Sequence, residues 1–544
     1  MVNLVRRTVA MVTSWIEPNL RLFLSTRQFQ LWSLAVLVGF GVALMAVAFR
    51  EAIGLVQLAW LGTRSEQVAT AAADLPWWVI LIAPALGGLV VGIILQRLMG
   101  GRRAGGVADV MEAKTFGGRT LDLKHGFYSA VVTTISLGSG ASAGREGPIV
   151  HLGGTIGAAI SGYLRLPDNA RRVLLACGVA AAISTSFNAP LAGVLFAHEV
   201  ILGHYAFSAF VPIVIASAAG AVVSRLYFGD AAAFVIPDYQ VTSFWEFPAF
   251  AILGITCAVV AIIFQFALIG TDWVARHVTI PLWMRPVIGG LMVGAIGVFF
   301  PEILGVGYEA TDLALRQELP ITLMLMLLVA KTAATAITLA SRFGGGIVAP
   351  AFFLGAMTGG AYGLIAASAF PDLASSHGLY AILGMGAVGA AILGAPLSTT
   401  MIVFELTGGY GISIALLLSA AIATGLHQAV HGRSFFHWQL ETRGLILQEG
   451  PHAWLVKRVT VRDFMVRNPP DSAPEVYDPD TDGPSLTPGD SLETALRVFD
   501  DSGKTTLPVV DPHQPTAVVG SAAHLKALNY FNSALIEQSV EEHR

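Results

Sequence analysis

The segment Gly144-Arg145-Glu146-Gly147-Pro148-Ile149-Val150 places one carboxylate between glycines at the start of an apolar run. If that run is helical, its first turn presents backbone N–H groups without intrahelical partners and roughly half a positive charge. Such an end attracts anions, and glycine lets an ion approach the backbone. A carboxylate at the same end competes for the position: ionised, Glu146 fills it, and protonated, it withdraws. A single residue can thereby link proton occupancy to the passage of an anion. The bland reading is a carboxylate that merely caps the helix. A second segment, Gly346-Ile347-Val348-Ala349-Pro350, has the same glycine-to-proline form and no charged side chain, which leaves its N–H groups for an ion. Two such ends converging make an anion site without a full positive charge, and that suits fast release.

The two segments belong to a longer repeat. Pro148 and Pro350 are offset by 202 (350 − 148). Downstream, Ala189-Pro190-Leu191, followed by Phe196 and Glu199, recurs as Ala395-Pro396-Leu397, followed by Phe404 and Glu405, with the prolines and the glutamates each offset by 206 (396 − 190 and 405 − 199). Two duplicated elements in the same order imply a duplicated domain. Interrupted apolar segments at corresponding places in two halves point to a transporter site near the membrane midplane.

Composition places those halves in a bilayer. Of 544 residues 54% are hydrophobic and 12% charged, against roughly 25% charged in soluble proteins. Stretches without Asp, Glu, Lys or Arg run through Leu31 to Ala48, Trp77 to Gln96, Tyr205 to Ser224, Phe247 to Gly270, Leu379 to Phe404 and Tyr410 to His427. Each approaches the ~20 residues a spanning helix needs, and in that setting a carboxylate is costly and functional by default. Glycine pairs such as Gly153-Gly154 and Gly359-Gly360 allow helices to approach closely. The first 29 residues, with Arg6, Arg7, Arg21 and Arg27 among apolar side chains, read as an interfacial helix on the cytoplasmic face. A net charge of −4 gives no reason to expect nucleic acid. Cys177 and Cys257 are too few for a disulfide framework or a metal cage. No cofactor is expected.

After about Gly450 a proline-rich acidic linker (447–484) leads to a small α/β module (485–544). There Leu492, Ala495, Leu496 and Phe499 have helical spacing, with Asp490 and Glu493 as a capping pair. Strands follow at Leu507 to Val510 and Ala517 to Val519, then a helix from about Ala522 to Phe531.

Gly144 to Pro148, Asn188-Ala189-Pro190-Leu191-Ala192-Gly193, Lys331, Gly346 to Pro350 and Gly394-Ala395-Pro396-Leu397 together follow an order and spacing that resembles the CLC family of chloride channels and chloride/proton antiporters. The resemblance spans essentially the whole chain. It implies an all-α polytopic fold of two inverted halves (about 30–230 and 246–430, within 30–446), assembled as a homodimer with one pore per subunit. It further implies a multi-pass protein of a bacterial inner membrane, both termini cytoplasmic, that is not an enzyme. Carried over position by position, Glu146 matches the gating glutamate that accepts the proton. Gly147, Ile347 and Val348 match backbone positions that coordinate chloride.

Three positions depart from the family pattern. Gly105 stands at the ion-contacting serine, and Phe436 at the ion-contacting tyrosine, so the hydroxyl donors of the inner end are missing. Val200 stands where antiporters carry an inner proton glutamate, beside His198 and Glu199, titratable neighbours that are candidates for a proton role. The reading is chloride/proton antiport gated by Glu146; the alternative is an uncoupled channel or leaky uniporter. A fluoride-selective relative is disfavoured by Pro148. His198-Glu199 does not fit a metalloprotease, since the second histidine would have to fall four residues on, where Leu202 stands. Lys331 reads either as an attractor of anions or as a lysine that snorkels or pairs for folding. The C-terminal module resembles a CBS domain with one complete motif (Ser485 to Leu535), and nucleotide binding is not expected of it.

Overall fold

The computed structural model describes residues 28–115, 121–229, 239–371, 374–407, 412–445, 459–469, 483–512 and 514–543, with Ser14, Ile16, Glu17, Phe234, Pro237, Tyr477 and Asp478. Most of the expected N-terminal interfacial helix and of the linker lies outside them. The chain divides into two compact units, Met1–Gln439 and Leu440–Arg544.

The first unit is helical, and among the described residues eight helices are long and apolar enough to cross a bilayer. In chain order its helices are α1 (Gln28–Leu61), α2 (Val68–Ala73), α3 (Trp77–Arg97), α4 (Val107–Thr115), α5 (Leu123–Gly138), α6 (Glu146–Tyr163), α7 (Asp168–Phe187), α8 (Pro190–Phe196), α9 (Phe207–Phe228), α10 (Phe247–His277), α11 (Met284–Phe299), α12 (Tyr308–Leu315), α13 (Ile321–Ala340), α14 (Val348–Ala369), α15 (His377–Leu393), α16 (Pro396–Thr407), α17 (Ser413–His431) and α18 (Phe435–Glu441). The broken helices lie where the sequence puts Gly and Pro. Asn188 and Gly394 end α7 and α15 in the left-handed conformation, and Pro190 and Pro396 each open the next helix.

The repeat is visible in packing. Gly88 lies against the Pro286 carbonyl and Gly290 against the Pro84 carbonyl, both pairs offset by 202 (290 − 88, 286 − 84). In the first half, Gly153 of α6 touches the Gly178 carbonyl of α7 so closely that a β-carbon would overlap it; Gly355 of α14 meets the Gly384 carbonyl of α15 in the same way. Those offsets, 202 (355 − 153) and 206 (384 − 178), are the ones seen in the motifs. Where the halves meet, Gly144 and Gly346 form an antiparallel bridge, each N–H donating to the other's carbonyl at 2.7 Å. Equivalent residues pairing antiparallel define a local twofold axis, as two inverted repeats require. Glutamates exchange across the halves likewise. The Glu199 carboxylate accepts from the N–H groups of Leu397 (3.1 Å) and Ser398 (2.7 Å) at the start of α16, and Glu405 accepts from those of Leu191 (3.0 Å) and Ala192 (2.7 Å) at the start of α8.

In the second unit, α19 (Val461–Phe464), β1 (Val466–Arg467), α20 (Leu492–Ser502), β2 (Thr506–Asp511), β3 (Gln514–Ala523) and α21 (His524–His543) form a three-stranded antiparallel sheet, order β1-β3-β2, with helices packed on it. Leu492, Ala495 and Phe499 are buried against Leu507, Val509 and Ala522, as the helical spacing predicts. The cap differs from the expected Asp490–Glu493 pair. Ser491 Oγ accepts from Thr494 N–H at 3.1 Å, while Asp490 turns back to accept from Thr487 N–H at 2.6 Å. Ser491 has the extended backbone of an N-cap, so it takes that place and shifts the start by one residue.

Valine at Gly153 or at its repeat mate Gly355 is expected to force α6 from α7, or α14 from α15. The cost is about 1–3 kcal/mol, seen as a lower unfolding midpoint in detergent. Valine at Gly425, which has open space around it, should leave the midpoint unchanged.

Candidate functional site

Two helix starts flank the Gly144–Gly346 bridge. Glu146 is the first residue of α6 and Val348 the first of α14, capped by Arg145 and Ile347, neither through its side chain. Their proximity depends on glycine: a β-carbon at Gly147 would stand 3.3 Å from the Gly346 Cα. The structure therefore brings Glu146, Gly147, Ile347 and Val348 together, all of them buried. The first-turn N–H groups of both helices remain without helical acceptors, so the crossing is a place for negative charge.

Glu146 is fully buried. Its Oε1 accepts a hydrogen bond from the Tyr308 hydroxyl at 2.8 Å, its Oε2 has no partner, and the carboxylate lies beside the Ala349 N–H of α14. A carboxylate so placed occupies the positive end of the opposite half's helix, as an anion would.

Outward from Glu146, charges alternate. The Arg145 guanidinium stacks over the Tyr308 ring at 4.9 Å and donates to Glu66, which also takes the Arg50 Nε at 3.0 Å. Burial raises the proton affinity of the Glu66 carboxyl, while Arg145 and Arg50 together lower it more, so it lies below its ordinary range and stays ionised. Arg50, Arg64, Glu66, Arg145 and Tyr308 line a cavity of about 410 Å³.

Lys331, on α13, is buried with its Nζ donating to the carbonyls of Ile303 (3.0 Å) and Gly305 (3.1 Å), 5.2 Å over the Phe353 ring. Among the described residues it pairs with no carboxylate: it holds the turn that leads into Tyr308.

The departing positions lie apart from this cluster. Gly105 precedes α4 and faces His151, five residues after Glu146 on α6. A β-carbon at 105 would overlap the imidazole, so the ring fills the space a serine side chain needs. Phe436 is buried at the start of α18 with its ring against Phe435. Val200 is buried in a π-helical turn, Ala197–Leu202. His198 stacks on Tyr205, its Nδ1 2.9 Å from the Val194 carbonyl. Glu199 is engaged as the cap of α16.

Sequence reasoning passed over Tyr308, Glu66 and His151. The repeat equivalent of Tyr308 is Gly106 (308 − 202), so the duplication carried no signal for it. Glu66 is separated from Arg145 by 79 residues, and the sequence has nothing that pairs them. His151 was detectable only as a polar residue on the buried face of α6.

A family model described as "Voltage gated chloride channel" matches residues 87–428. The chain is 32% identical over 391 residues to a "Putative chloride channel protein ClcB-like" of Ralstonia nicotianae, covering 71% of this chain and 91% of that protein. It is 30% identical to a Klebsiella pneumoniae "H(+)/Cl(-) exchange transporter ClcA", covering 77% and 90%. Among solved structures it shares its fold with a "slow cyanobacterial Cl-/H+ antiporter", at a TM-score of 0.67 and 23% identity, covering 76% of this chain and 97% of that one.

Gly105→Ser is expected to lower the unfolding midpoint in detergent by displacing the His151 ring, and Gly105→Ser combined with His151→Ala to recover part of it. An unshifted midpoint for the single variant would contradict the packing described.

Proposed function

The chain belongs to the voltage-gated chloride channel family, and from that premise we propose that it exchanges chloride for protons across a membrane, Glu146 alternately blocking the anion path and carrying the proton. It is an integral multi-pass membrane protein, and its family is one of channels and transporters. The observation that carries the proposal is the position of the Glu146 carboxylate: buried, at the start of α6, and beside the Ala349 N–H in the first turn of α14.

In this reading chloride and the ionised carboxylate compete for the same helix ends. Gly147, Ile347 and Val348 supply backbone donors, and no full positive charge is needed at the ion. Protonation removes the carboxylate's attraction to those ends, and the side chain withdraws with its proton. An anion then takes its place. Return of the carboxylate expels the anion and releases the proton, which makes one movement dependent on the other.

The inner end works without the family's hydroxyl donors. With Gly105 and Phe436 at those places, chloride there relies on backbone N–H groups and water, so its binding is weaker. With Val200 apolar and Glu199 engaged as a cap, protons reach Glu146 from the inner side by way of water. Val200 is the observation that favours the second reading, uncoupled anion conduction. The relatives named as exchangers, at 30–31% identity, support exchange.

We place the protein in a bacterial inner membrane with both termini cytoplasmic, as a homodimer with one path per subunit. The C-terminal unit is a CBS-like structural module without a nucleotide.

Glu146→Gln in liposomes is expected to abolish chloride-driven proton movement while leaving anion flux. Proton coupling that survives this substitution would remove Glu146 from the mechanism.

A further inference from the structure

We propose that Tyr308 is the outer latch of this gate: a positioning residue whose hydroxyl holds the ionised Glu146 carboxylate at the helix ends and so sets the pH at which the anion path opens. The inference rests on the reading of Glu146 as the gate and names a residue of the opposite half that controls it.

Three observations carry it. First, the Tyr308 hydroxyl is the only side-chain donor to Glu146 among the described residues, at 2.8 Å on Oε1, while Oε2 is buried without a partner. A hydrogen bond to an ionised acceptor is about twice as strong as a neutral one, so this contact favours the charged, blocking form. Second, Tyr308 lines the cavity of about 410 Å³ and also bonds to Glu146, so one side chain touches both the cavity and the carboxylate. Third, the ring is held from several sides. Arg145 covers one face at 4.9 Å, Phe234 meets it edge-on at 5.8 Å, and the preceding turn is pinned by Lys331. Gly307, at φ +89°, leaves no room for a side chain, since a β-carbon would lie 2.8 Å from the Phe353 ring and 3.1 Å from the Lys331 Nζ. Buried Lys331, bonded to two carbonyls of this turn, serves here to aim one hydroxyl.

The other charged and titratable groups around Glu146 keep this contact distinct. Arg145, the cap of its helix, is engaged by Glu66, with Arg50, Glu51 and Arg64 farther out along the cavity; His151 on the same helix lies against Gly105, and Glu309, next to Tyr308, accepts from the N–H groups of Ala69 and Thr70. Helix α14 offers its first amides. The end of α7 alongside, Ile183 to Phe187, has no titratable group, and α5 brings hydroxyls, Thr133 and Ser136. Lys331 stands behind Gly307 with its protons directed to carbonyls.

Because the phenol favours the ionised carboxylate, its removal lets Glu146 take a proton at higher pH. The gate then opens at higher pH. The test is anion flux against external pH for the full-length protein in liposomes, in wild type, Tyr308→Phe, Glu146→Gln and the double variant. Phenylalanine keeps the ring under Arg145 and removes only the hydroxyl. The expected result is a midpoint raised by about one pH unit in Tyr308→Phe and no effect of the same substitution on the Glu146→Gln background. Replacing Tyr308 by a difluorotyrosine, a stronger donor of nearly the same shape, should move the midpoint the other way; it carries the test by itself if Tyr308→Phe does not fold. An unmoved midpoint in these variants overturns the latch, as does a Tyr308→Phe shift that persists without the Glu146 carboxylate. Wild-type pH dependence retained in Glu146→Gln would instead overturn the gating role of Glu146.

Discussion

An ionised carboxylate inside a membrane protein needs donors, and the structure around Glu146 is organised by that need. The Glu146 side chain is buried away from bulk solvent, and a full counter-charge in contact would hold it, or a competing anion, too firmly to move. The solution is partial charge. Two helices begin on either side of one point, and their first-turn amides supply positive potential without a full charge. Close approach of these ends requires glycine at 144, 147 and 346, where side chains would separate the halves. The reciprocal Gly144–Gly346 bridge then fixes one half against the other at the place where the two helix starts meet.

The same logic extends outward. Arg145 is next to Glu146 in sequence, yet its charge is turned away and joined to Glu66, so the full positive charge nearest the gate is neutralised by a carboxylate that stays ionised. What reaches Glu146 from this side is a neutral hydroxyl. Lys331, the one charge between Leu319 and Ser341, does its work through two backbone carbonyls and never meets the carboxylate. Charge in this protein therefore builds backbone shape around the site more than it acts on the ion directly. The exchanged caps made by Glu199 and Glu405 are a further instance, each glutamate binding the helix start of the opposite half.

Much of this was legible in the sequence because symmetry wrote it twice. The offsets of 202 and 206 between motifs reappear as spatial equivalences between Gly153 and Gly355 and between Gly178 and Gly384. Gly and Pro marked the broken helix ends, and a carboxylate between glycines marked the buried helix start that faces the other half. What stayed hidden lacks a repeat partner or acts over long separations. Tyr308 corresponds to a glycine in the first half, and Glu66 reaches Arg145 only through the fold. Gly105 read as the loss of a hydroxyl; the structure adds the reason a serine has no space there, a histidine ring from α6. The capping pair expected at Asp490 and Glu493 moved by one residue because Ser491 competes for the same role with better backbone geometry.

The central claim is that anion and proton movements are bound together through one buried carboxylate. Wild-type protein in liposomes, given an outward chloride gradient at equal pH on both sides, measures that most directly. The account predicts proton uptake against the gradient it creates, in fixed proportion to chloride released. Chloride release with no change of internal pH would contradict it.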